Sequence, residues 1–90
     1  MKVYLSGHLK AFTGGETEVR LGDGPATVGD ALIELWSQHP ALRERVLNEQ
    51  GEIRTHVNVF LGDKSVKQAK GLETAIDADE LHIFNAVSGG

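Results

Sequence analysis

Only one stretch of this 90-residue chain has the period of a long helix, and that limits what the rest can do. In "TVGDALIELWSQH", Val28, Leu32, Leu35 and Trp36 fall at i, i+4, i+7 and i+8, which is one helical face. Thr27 is placed to cap this helix, and Asp30 three residues on suits its positive end. Pro40 closes it and can open a second, short helix through "ALRERVL", where Leu42 and Val46 lie one turn apart. A single apolar stripe must be buried against another layer, so strands have to supply the partner.

Strand patterns are present on both sides of the helix. "KVYLSGHL" alternates, with Val3, Leu5 and Gly7 on one face and Tyr4, Ser6 and His8 on the other. "TGGE" supplies a turn and "TEVRL" alternates again, so the first two elements read as a β-hairpin with a loose turn at Gly14 and Gly15. "THVNVFL" is the strongest strand, with Val57, Val59 and Leu61 inward and His56, Asn58 and Phe60 outward. Gly62 and Asp63 turn the chain into a short "KSVK" strand. "LHIFNA" closes the series, with Leu81 and Ile83 inward and His82 and Phe84 outward. The order is β-β-α-(short α)-β-β-β. It predicts an α+β roll of the β-grasp type, with a mixed sheet of about four to five strands packed on one main helix. No repeat or linker interrupts it, so one domain is expected over residues 1–90, with a flexible tail at 86–90.

Charge and composition narrow the partners. The net charge is -4, from 13 acidic and nine basic side chains. That disfavours nucleic acid or an anionic membrane and suits docking on a basic protein surface. Cys is absent, which excludes disulfides, thiolate metal sites and a persulfide carried on this chain. "MKVYLSGHLK" has no long apolar run, so neither a signal peptide nor a membrane span is expected, and a cytoplasmic protein is the plain expectation.

The stretch "HVNVFLGDKSVKQAKGLETAI", followed by an acidic turn, a strand and "AVSGG", resembles the MoaD/ThiS family of ubiquitin-like sulfur carriers. It is most similar to the longer members that feed sulfur into cysteine-type biosynthesis. The likeness covers roughly Thr55 to Gly90 well and the earlier half in pattern. Ala78 departs from it, standing where the family often has Gly in a "DGD" turn.

The resemblance implies that the chain is a carrier and not itself an enzyme. A separate E1-like adenylating enzyme would activate the Gly90 carboxylate with ATP and Mg²⁺, and sulfur from a donor would then leave a thiocarboxylate there. A sulfur-accepting synthase would take it on, toward a cysteine-like amino acid, a thiamin-type product or a related cofactor. No cofactor is expected on the carrier. Ala86, Val87, Ser88, Gly89 and Gly90 would enter the partner's active site as a thread. Glycines keep that thread narrow, and five extended residues reach about 17 Å. Two alternatives share the fold and tail: a ubiquitin-like modifier joined to lysines through Gly90, and the small subunit of molybdopterin synthase.

Two further features belong to the residues themselves. Tyr4, Phe60 and Phe84 all fall opposite the Val/Leu/Ile face, and on neighbouring strands they would form one exposed apolar patch for partner docking. His8, His39, His56 and His82 come from different elements without helical i, i+4 spacing, so no metal site is expected.

Overall fold

The computed structural model describes residues 1–85. Its five strands are β1 (Lys2–Leu5), β2 (Glu18–Arg20), β3 (Val57–Leu61), β4 (Lys64–Ser65) and β5 (Glu80–Asn85), with helices α1 (Val28–Gln38) and α2 (Arg43–Val46) between β2 and β3. The sheet order is β2-β1-β5-β3-β4. β1 and β5 run parallel, with Val3 opposite Leu81, and every other pair is antiparallel. This is the β-grasp arrangement of an α+β protein, with five strands and one main helix.

Period two decides which face of the sheet is dry. Val3, Leu5, Val19, Val57, Val59, Leu61, Leu81 and Ile83 are buried in one cluster with Val28, Ala31, Leu32 and Leu35 of α1. Thr27 caps α1 as expected, its hydroxyl accepting the Asp30 N–H at 3.2 Å. Pro40 begins a 3-10 turn (Pro40–Leu42) that runs into α2, and both Leu42 and Val46 are buried.

Three local expectations need correction. The first strand stops at Leu5, and a 3-10 helix (Gly7–Phe12) replaces its expected end. The β1–β2 connection is therefore a folded loop, although Gly14 and Gly15 do take positive φ at its turn. Leu9 of that 3-10 helix is buried, and Arg45 of α2 lies over the Phe12 ring at 4.4 Å, so the loop is tied to the body. On α1, Ala31 is fully buried while Trp36 sits only half-buried at the margin of the stripe. "KSVK" gives two strand residues, after which Val66 turns inward and is buried.

Ala78, the departure from the family pattern, has a structural role of its own. Gly62 turns the chain between β3 and β4 at φ +60°, and a Cβ built there would lie 3.4 Å from the Ala78 methyl. Ala78 itself is partly buried against the core.

Candidate functional site

β5 is the central strand, and residues 86–90 follow directly on it. The expected thread, Ala86, Val87, Ser88, Gly89 and Gly90, lies outside the described residues. What the structure does define is the sheet face beside its root.

Register assembles that face. Tyr4 is opposite both Glu18 and His82, His82 is opposite Phe60, and Phe60 is opposite Ser65. A single row, Glu18–Tyr4–His82–Phe60–Ser65, thus crosses all five strands on the side away from the helix. Phe84 stands in the next row, opposite Asn58. Strands sit close enough for the side chains of such a row to touch. Tyr4 and His82 stack with ring centroids 5.0 Å apart and planes at 15°, and Phe60 and Phe84 stack at 5.6 Å and 23°.

The three aromatics named from the sequence therefore share one face, with two refinements. They are half-buried, because each ring covers a neighbour. Among the described residues, the one large apolar side chain left exposed is Ile33, on α1, at 65%. A fourth ring also belongs to the patch: His82 lies at its centre, its Nε2 3.3 Å from an oxygen of Glu80. Alternation put His82 on the outer face, but only the parallel register with β1 shows that it meets Tyr4.

Charged groups flank the aromatic centre on its β1 and β2 side. Lys2 is opposite both Arg20 and Glu80, so two cations and an anion form the row below Tyr4 and His82, with Glu18 beside Tyr4. Apolar rings flanked by charges of both signs have the make-up of a protein contact: a desolvated centre and a polar rim. Among the described residues no three His, Asp or Glu side chains gather as metal ligands would. His8 and His56 are exposed, and His39 stands 3.6 Å from Glu16 in a separate loop contact. No helix of the described residues is long and apolar enough to cross a membrane.

Comparison with known proteins agrees with this geometry. The ThiS family model matches residues 3–90. Small archaeal modifier protein 1 of Haloferax volcanii is 47% identical over 77 residues, covering 84% of this chain and 85% of its own. Sulfur carrier protein CysO of Mycobacterium tuberculosis is 34% identical over 86 residues, covering 91% and 89%. Among solved structures, a chain of the Amycolatopsis orientalis BexX/CysO complex superposes with a TM-score of 0.86 at 32% identity, over 99% of this chain and 98% of that one.

Proposed function

Because the chain belongs to the ThiS family, we propose that it is a sulfur carrier whose working group is the carboxylate of Gly90. A partner E1-like enzyme joins that carboxylate to the α-phosphate of ATP, with Mg²⁺ held by the enzyme, and pyrophosphate leaves. A sulfur nucleophile then attacks the acyl carbon and AMP departs with one former carboxylate oxygen. The product is a thiocarboxylate, ready for a sulfur-accepting synthase. The carrier supplies no catalytic side chain of its own; it supplies a narrow thread and a face that holds the thread's root against the enzyme.

One observation carries this reading most directly. The family match runs through the last five residues, so it takes in the Gly89–Gly90 pair as well as the sheet. The stacked face of Tyr4, His82, Phe60 and Phe84 supports it from the structural side, since it adjoins the strand from which the thread leaves. The relative named as a complex with BexX is a CysO, which supports work through a protein partner.

Incubation with the cognate adenylating enzyme, ATP, Mg²⁺ and a sulfur source should raise the intact mass by the difference between sulfur and oxygen. An unchanged mass with an authentic, active partner would overturn the proposal. The 47% identity to a small archaeal modifier protein supports a second reading, in which Gly90 forms an amide with lysines of other proteins. Immunoblots of cell extract against this chain separate the two. A ladder of high-mass bands points to the modifier, and a single low-mass band to the carrier.

A further inference from the structure

Among the described residues β2 is an edge strand with no strand paired on its outer side, and its backbone pattern can be read from the bonds on its inner side. The Leu5 N–H donates to the Thr17 carbonyl, and the Leu21 N–H to the Met1 carbonyl. With Val3 opposite Val19, this turns the odd-numbered residues of β2 toward β1. The N–H and carbonyl groups of the even residues, Glu18, Arg20 and Gly22, must therefore face away from the sheet.

That edge is complementary to itself. Laid antiparallel against β2 of a second copy and centred on Val19, Glu18 falls opposite Arg20 of the second copy, and Arg20 opposite its Glu18. Both would be pairs of the kind that exchange two N–H···O bonds. Each would also set opposite charges face to face on the outer surface, which stabilises antiparallel pairing. An unprotected three-residue "EVR" edge is thus a template for joining two sheets into one.

Side chains from α1 occupy the edge instead. Glu34 accepts the Gly22 N–H at 2.6 Å, and the Gln38 side-chain amide donates to the Arg20 carbonyl at 3.3 Å. The Arg20 carbonyl is one of the acceptors that self-pairing needs. We infer that Glu34 and Gln38 form a latch that keeps the β2 edge from pairing with a second copy of this chain. The latch is independent of the chemistry proposed for the tail and involves no residue of β5, although Glu18 and Arg20 also border the aromatic face.

Sedimentation equilibrium over a wide concentration range tests it. The natural chain should be a monomer where the Glu34→Ala/Gln38→Ala variant dimerises, with self-association tightened about tenfold or more, since both copies lose the competing bonds. Adding Arg20→Glu to that variant places like charges opposite each other and should return it to monomer. Gln38→Ala alone removes only an exposed side chain, so it should fold in any event and dimerise more weakly. A folded, latch-free chain that stays monomeric would overturn the inference. So would a natural chain that dimerises equally well, or a dimer indifferent to Arg20→Glu.

Discussion

Tyr4 and His82 stack across the parallel pair β1 and β5, with centroids 5.0 Å apart and ring planes only 15° from parallel. Nothing local joins them, since one residue lies in the first strand and the other in the fifth. Their contact exists only when the sheet is complete, and it fixes the centre of the proposed docking face.

A double-mutant cycle on that pair should show it. Tyr4→Ala and His82→Ala, made singly and together, should give a coupling of about 0.5–1.5 kcal/mol in unfolding free energy. Denaturant titration measures it. Strict additivity would mean that the rings are neighbours without being partners.

Phe60→Ala should weaken binding to the adenylating enzyme by about 1–3 kcal/mol, because contacts concentrate energy in a few aromatic anchors. Since Phe60 is half-buried against Phe84, the fold should also lose about 1 kcal/mol. Leu81→Ala, one residue from His82 but on the dry face, should cost about 2–5 kcal/mol of stability. Thermal melts beside a binding titration compare the two. A Phe60→Ala chain that melts as early as Leu81→Ala would place Phe60 in the core and remove the docking face.

Thr27→Ala removes the hydroxyl that accepts the Asp30 N–H and should cost about 1 kcal/mol. Thr27→Ser keeps that oxygen and should retain most of the stability. Equal losses in the two variants would show that the methyl, not the cap, carries the effect.

Deleting Gly89 and Gly90 should leave unfolding stability within about 0.5 kcal/mol, since neither has a side chain to bury. The same deletion should abolish formation of the adenylate. Loss of stability well beyond that margin would give the two glycines a structural part.

The sheet was readable in the sequence because alternation carries its own phase. Val57, Val59 and Leu61 could face only one way once any one of them was assigned. The same phase put Tyr4, Phe60 and Phe84 on a common side. His82 had an equally clear phase, but its significance depends on which residues stand opposite, and register between the first and fifth strands leaves no local mark. The 3-10 helix was hidden for a different reason. Leu9 would be inward in an extended strand and is inward in the 3-10 helix, so the pattern is the same for both. Helical spacing alone sets Trp36 too deep, because i+8 lies about 80° round from Val28, whereas Ala31 lies about 60° the other way. The helix rests on the sheet along its smaller side chains, and the indole is left at the rim. The latch on β2 was illegible altogether, since Glu34 and Gln38 look like ordinary solvent-facing residues until Gly22 and Arg20 are brought beneath them.

The parallel pairing of β1 with β5 has a consequence for how the molecule is made. Lys2 through Leu5 emerge from the ribosome well before Glu80 through Asn85, yet that strand is one of their two neighbours in the sheet. At about 5–20 residues per second, the first strand waits on the order of seconds for that neighbour. A chain cut short before β5 would lack the middle of its sheet. The sheet therefore cannot close until β5 has been made, and a product ended before that strand should be left open to proteolysis.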